Sequence, residues 1–203
     1  LPLNYYLVPN TRIGYIFLPN LLDETLGIHV REALKKMTAD GKLDGLILDN
    51  RMNGGGQGKV ARSILNLFAN GIPGHFVSRD HRRELRLEPE DIGGSQSVPL
   101  IVLVDVNTAS YGEIVSGILR NTGRAKIVGQ TTYGNVELLR SYDFEDGSRV
   151  WIASETFAPS DQRPGIWEQT GIVPDMRVPT RWDLFTEVND PALAKAVEML
   201  RSK

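Results

Sequence analysis

Ser110 is the residue of this chain best placed to do chemistry. It sits in Asn107-Thr108-Ala109-Ser110-Tyr111-Gly112-Glu113-Ile114, after an apolar run, Pro99–Asp105, that reads as a buried strand. A helical pattern follows, with Ile114, Val115, Ile118 and Leu119 on one face. A serine at such a strand-to-helix turn presents its hydroxyl at a positively polarised helix start. The next backbone N–H, on Tyr111, is free to receive an oxyanion. The same letters carry a plainer meaning as well. Ser110-x-x-Glu113 before an apolar helix is a capping box, in which serine and glutamate satisfy orphan backbone donors. Taken alone, the segment favours the cap.

A second segment shifts that balance. Gly45-Leu46-Ile47-Leu48-Asp49 reads as a strand that runs through Asn50-Arg51-Met52-Asn53 into Gly54-Gly55-Gly56, with a helix pattern from Lys59. Glycines there permit positive φ and close backbone approach, so N–H groups can face a ligand. A phosphate loop is the rival reading, and it fails. Asn53 stands where the first glycine of the motif belongs, and Val60 replaces the metal-binding hydroxyl. Arg51 and Asn53 read as turn residues that pin the glycine loop through backbone hydrogen bonds, in preference to contacts with substrate.

Together the segments resemble the S41 family of serine peptidases, which includes tail-specific (C-terminal processing) proteases and the tricorn protease core. The L-D-x-R-x-N-x-G-G pattern is matched by Leu48, Asp49, Arg51, Asn53, Gly55 and Gly56, and [ST]-A-S-x-x-E-I by Thr108, Ala109, Ser110, Glu113 and Ile114. Val128-Gly129-Gln130-Thr131-Thr132-Tyr133-Gly134 and Gly171-Ile172-Val173-Pro174-Asp175 supply two further motifs in the family's order. The resemblance implies a Clp-protease/crotonase-like α/β core, with Ser110 as nucleophile. It implies oxyanion-hole N–H groups from Tyr111 and from the glycine turn, where Gly55 and Gly56 match best.

One position departs from the pattern. In the tail-specific branch a lysine after the Tyr-Gly pair is the general base, and here that position is Asn135. A carboxamide takes no proton near neutral pH. The tricorn-like branch uses an upstream histidine and a glutamate before the Pro-Asp motif. The neighbourhood of Glu168 matches that glutamate, with an ordinary solvated loop carboxylate as the plain alternative. Tyr133 and Asn135, beside the expected site, are candidate substrate contacts. The base itself is not identifiable. His29 reads as a helix-face residue, while His75 and His81 lie in an arginine-rich hairpin or loop with no Asp or Ser partner at a recognisable spacing. Each reads as structural or solvated, and His81, which could reach across a cleft, is the one to test.

The elements that must position these residues follow from periodicity. Strands are expected at Arg12–Leu18, Gly45–Asp49, Pro99–Val104 and Lys126–Val128, and helices at Asp23–Ala39, Lys59–Ala69 and Tyr111–Asn121. Their alternation predicts βαβ units and a mostly parallel sheet. A β-hairpin region follows: Val136–Phe144 and Ser148–Ile152 around the Glu145-Asp146-Gly147 turn, then a short strand at Glu155–Ala158. A last helix is expected at Asp190–Leu200, with Pro191 in its first turn. Leu1–Asn10 lacks periodicity and reads as the exit from an upstream segment, 11–180 as the peptidase core, and 181–203 as a C-terminal extension and helix. Trp151, Trp167 and Trp182 read as core or rim aromatics.

Composition bounds the rest. A chain of 203 residues can bury one substantial core. A net charge of −2 and a pI near 6.0 speak against an electrostatic nucleic-acid partner. The absence of cysteine rules out disulfides, thiol catalysis and thiolate metal sites. No metal or cofactor is called for. There is no run long enough to span a bilayer and no signal-peptide pattern, and a first residue of Leu is expected of a fragment or a processed chain. The resemblance favours a periplasmic or extracytoplasmic setting, an upstream PDZ-type or helical segment and a polypeptide substrate, and it leaves oligomerisation open. The expected function is hydrolysis of unfolded or C-terminal polypeptide segments through an acyl-enzyme at Ser110. The base would come from outside this chain, so that the chain alone is weak or inactive. Extended peptides are expected to add a strand beside Asn53–Gly56. The alternative is a non-catalytic ligand- or peptide-binding module on the same scaffold, like the retinoid-binding protein of the photoreceptor matrix.

Overall fold

Two buried strands set the architecture. Gly45–Asp49 (β3) and Leu100–Val104 (β6) are buried at every residue. A continuous apolar run, rather than an alternating one, is what a parallel strand covered on both faces requires. The computed structural model describes residues 3–160, 162, 165–180 and 189–202. Its main sheet has the order β1-β2-β3-β6-β7-β10, adding Asn4–Leu7 (β1), Ile13–Phe17 (β2), Ala125–Gly129 (β7) and Met176–Arg177 (β10). All neighbours are parallel except β1, which runs antiparallel to β2. The stretch without periodicity at the start therefore contains an edge strand, whose partner β2 supplies the order that its own pattern lacks.

Helices Leu26–Thr38 (α1), Gly58–Phe68 (α2) and Tyr111–Asn121 (α3) carry the crossovers and share one hydrophobic core on one face of the sheet. Pro191–Arg201 (α4) covers the other face, packing Ala192, Leu193, Ala196 and Leu200 against Ile13, Tyr15, Ile47, Ile101 and Leu103. Asp190 caps α4 by accepting from the N–H groups of Ala192 at 3.0 Å and Leu193 at 3.1 Å, with Pro191 in the first turn. Its other oxygen meets the Arg51 guanidinium at 2.7 Å, and Arg51 also grips Asp49 at 2.5 Å. Arg51 thus joins β3 to the cap of α4 and does not pin the glycine loop, a correction to the sequence reading. Burial works against its charge, but the hydrogen bonds and charges of Asp49 and then Asp190 override that and raise its pKa.

A second, antiparallel sheet has the order β5-β4-β9-β8, from Gly71–Val77 (β4), Arg82–Leu87 (β5), Leu138–Asp143 (β8) and Arg149–Pro159 (β9). Here the hairpin strand and the short strand expected after it are one strand. β9 pairs with β8 from Arg149 to Glu155 and with β4 from Thr156 to Pro159. Ser154 falls at a register shift within the β8 pairing, between Leu139↔Ala153 and Leu138↔Glu155, and not at a break in the strand. Trp167 is in the core and stacks on Phe157 with ring centroids 5.5 Å apart, whereas Trp151 is 56% exposed. Trp182 lies outside the described residues.

Candidate active site

The chain leaves β6 through a turn that Asp105 holds, its carboxylate accepting from the N–H groups of Asn107 at 2.9 Å and Thr108 at 3.2 Å. Ser110 then adopts φ 53° and ψ −128°, outside the ordinary wells of a residue with a side chain. Such a conformation costs on the order of 1–3 kcal/mol and persists only where its surroundings enforce it. Here they do. The N–H of Ala109 donates to Asn53 O at 3.0 Å, that of Ser110 to Asn135 O at 2.7 Å, and that of Tyr133 to Thr108 O at 3.0 Å. The turn puts Ser110 at the N-cap of α3, but its side chain makes no capping hydrogen bond. The capping-box reading therefore does not hold.

Glu113 has a different task. Its fully buried carboxylate accepts from the hydroxyl of Thr132 and from the N–H groups of Gly134 at 2.7 Å and Asn135 at 2.8 Å. The helix that starts at Ser110 thereby holds the loop that carries Asn135. The sequence showed Glu113 as a motif letter and as half of a capping box; a glutamate on the apolar stretch of a helix is the signal that it had a buried partner. Asn50 was missed altogether. Its amide donates to Gly112 O and to Ser116 Oγ, each at 2.8 Å, locking β3 to α3.

Asn53 does pin the glycine turn. Its Oδ1 accepts from Gly55 N–H at 3.0 Å, and its Nδ2 donates to Asn50 Oδ1 at 2.8 Å. Gly55 lies against Ser110: a Cβ built on it would stand 2.6 Å from Ser110 Cβ and 3.0 Å from Ser110 Oγ. Its N–H is nevertheless engaged by Asn53, so Gly55 shapes the site rather than donating to an oxyanion. Gly54 and Gly56 line the cleft with Ser110 and Tyr111, and the N–H groups of Gly56 and Tyr111 have no partner among the described residues. One flank of the turn is already occupied, because Leu21 N–H donates to Gly55 O and Gln57 N–H to Leu21 O, each at 2.8 Å. A peptide strand beside Asn53–Gly56 therefore has only the flank facing Ser110.

The cleft measures about 640 Å³ and is lined by Gly54, Gly56, Ala109, Ser110, Tyr111 and Asn135, with Glu137, Leu138, Leu139 and Trp151 on its far wall. Asn135 belongs to it, as its sequence position suggests. Tyr133, the other candidate substrate contact, is 69% exposed and outside this lining. Glu168 is half-buried, lies outside this lining and accepts from Val136 N–H at 2.8 Å, so it holds the segment that follows Asn135. Burial holds the Tyr111 phenol above its ordinary pKa.

No histidine reaches Ser110. His29 is exposed on α1, and His75 meets the Arg82 guanidinium at 3.0 Å. His81 does have partners, which its spacing did not reveal: Nδ1 is 2.6 Å from Ser78 Oγ and Nε2 is 2.9 Å from Glu155 Oε1. Both ring nitrogens are engaged away from the cleft. Among the described residues, no side chain hydrogen-bonds Ser110 Oγ, and none forms a group of three or more that could hold a metal ion.

The site is thus a strained serine at the turn from a mostly parallel sheet into a helix, with open N–H groups near it and a buried glutamate on the same helix. The chain belongs to peptidase family S41, whose model matches residues 12–178. It is 30% identical over 186 residues to the carboxyl-terminal-processing protease of Synechocystis sp., covering 91% of this chain and 42% of that protein. It is 27% identical to the chloroplastic carboxyl-terminal-processing peptidase 3 of Arabidopsis thaliana, covering 99% of this chain and 38% of that protein. The chain thus spans about two-fifths of the length of these relatives. Among solved structures, the photosystem II D1 C-terminal processing protease superposes with a TM-score of 0.77 at 22% identity, over 96% of this chain and 52% of that one. The tricorn protease does so with a TM-score of 0.67 at 24% identity, over 94% of this chain and 18% of that one. These likenesses show the α/β fold, with its mostly parallel sheet.

Proposed function

We propose that this chain is the catalytic domain of a serine peptidase that cuts unfolded or C-terminal polypeptide segments through an acyl-enzyme at Ser110. The observation that carries the reading is Ser110 itself, held at φ 53° in a cleft where the N–H groups of Tyr111 and Gly56 stand open. In the first step Ser110 Oγ attacks the scissile carbonyl carbon and gives its proton to a base, while the oxyanion forms against those N–H groups. The C–N bond then breaks, the amine leaves with the proton, and an ester remains on Ser110. Water attacks the ester, restoring the serine and releasing the new C-terminal carboxylate.

We take the base to come from outside residues 1–203, because Asn135 occupies the lysine position and, among the described residues, no side chain hydrogen-bonds Ser110 Oγ. Glu168 serves as the polar residue that orients the Asn135–Val136 segment. The ligand-carrier alternative has less support: the relatives named above are processing proteases by name, and a non-catalytic carrier has no use for a strained serine beside open donors. Cleavage of an unfolded tail by the full-length protein, compared with its Ser110→Ala variant, tests the reading. Activity lost with Ser110 supports it, and equal activity in both contradicts it.

A further inference from the structure

The far wall of the Ser110 cleft has chemistry that acyl transfer alone does not use. Leu139 is 55% and Trp151 56% exposed, and both line the cleft. The register pairs Leu139 with Ala153 and Ser141 with Trp151, which puts Leu139 and Trp151 on one face of the β8–β9 hairpin. Large apolar side chains exposed beside a nucleophile make a surface for something to cover. Glu137 lines the same cleft and is the one side chain with a formal charge in that lining. Glu113 and Glu168 are committed to backbone N–H groups. The Glu137 side chain makes no hydrogen bond or ion pair with any described residue.

Nor do the hairpin's own cations neutralise it. Arg140 is opposite Ile152 on the other face, and Arg149 is held by Asp143. Arg149 lies 5.8 Å from the centroid of the Trp151 ring, which shows that this ring can take a guanidinium. An apolar substrate residue in this cleft would desolvate the Glu137 carboxylate without pairing it. A long cationic side chain would lay its methylenes on Leu139 and Trp151 and bring its charge to Glu137.

We infer that Glu137, Leu139 and Trp151 form a subsite that selects a lysine or arginine side chain next to the scissile bond. The inference rests on Ser110 being the reacting serine, and its test reads binding separately from turnover. Peptides identical except for Lys, norleucine or Glu at each position flanking the intended scissile bond are titrated against the Ser110→Ala protein by fluorescence anisotropy. The Lys peptide is expected to bind about tenfold more tightly than the norleucine peptide at one flanking position, about 1.4 kcal/mol. Adding Glu137→Gln should bring the ratio to about one, and Glu137→Lys should favour the Glu peptide. Melting curves confirm that each variant is folded. Equal binding of the Lys and norleucine peptides, or a lysine preference that survives Glu137→Gln, overturns the inference. A lysine preference without Ser110-dependent hydrolysis in the wild type supports the subsite and contradicts the peptidase reading alone.

Discussion

Replacing Gly55 by alanine should damage the site in a calculable way. Gly55 has φ +96°, and an added Cβ would stand 2.6 Å from Ser110 Cβ and 3.0 Å from Tyr111 N. Neither neighbour can give way cheaply, because Ser110 N–H is tied to Asn135 O at 2.7 Å and Gly112 is packed against Asn53 O. Positive φ costs an L-residue roughly 1–2 kcal/mol, and overpacking adds roughly 1–3 kcal/mol. Together these lower the melting temperature by roughly 4–20 °C, at about 2–4 °C per kcal/mol for a chain of this size. A displacement of Ser110 by about 1 Å from its donors should slow acylation about 100-fold. The control is Gly94→Ala, with φ +88° and nothing within 4 Å of its Cβ, which introduces the backbone strain without the contact. Stopped-time labelling of Ser110 by a fluorophosphonate reads the acylation rate. The reasoning is refuted if Gly55→Ala labels within about threefold of wild type, or if Gly94→Ala loses as much.

Other perturbations follow from the same geometry. Arg51→Ala leaves the buried carboxylates of Asp49 and Asp190 without their cation, and should cost about 3–5 kcal/mol in urea unfolding; a loss under about 1 kcal/mol contradicts the role given to this pair. The hydrogen bond from Arg83, outweighing burial and aided by His81, holds the Glu155 pKa below its ordinary 4.5. Its contribution to stability is therefore present above about pH 4.5 and is lost as pH falls through the lower folded value. Glu155→Gln should flatten that part of the acid-stability curve, and an unchanged curve argues against the coupling. Asn135→Lys should raise peptidase activity of residues 1–203 by up to about 100-fold. Glu137 in the same cleft would favour the protonated ammonium, so the gain at neutral pH should be larger with Glu137→Gln added; no gain in either variant contradicts a base-deficient site.

What the sequence disclosed was the part governed by local pattern. Gly45–Asp49 and Tyr111–Asn121 match their elements residue for residue, because a strand buried on both faces and an amphipathic helix are written in consecutive letters. Ser110 was legible for the same reason. The rest depends on partners far along the chain. Arg51 looked like a turn residue because nothing near it announces Asp190. Glu113 looked like half of a capping box because Thr132 and the Gly134–Asn135 backbone reach it only through the sheet. The donor role expected of Gly55 failed on one hydrogen bond to Asn53. Glu137 carried no spacing signal, and only the folding of β8 beside Ser110 makes it part of the cleft. β1 has no pattern of its own and takes its order from β2.

Incubation of the protein with excess fluorophosphonate, followed by intact mass and peptide mapping, tests the central claim most directly. The strained Ser110, with open N–H groups at Tyr111 and Gly56, should give slow but single labelling at Ser110, with none in Ser110→Ala. An adduct on another serine, such as Ser78 beside His81, or no adduct at all, would contradict it.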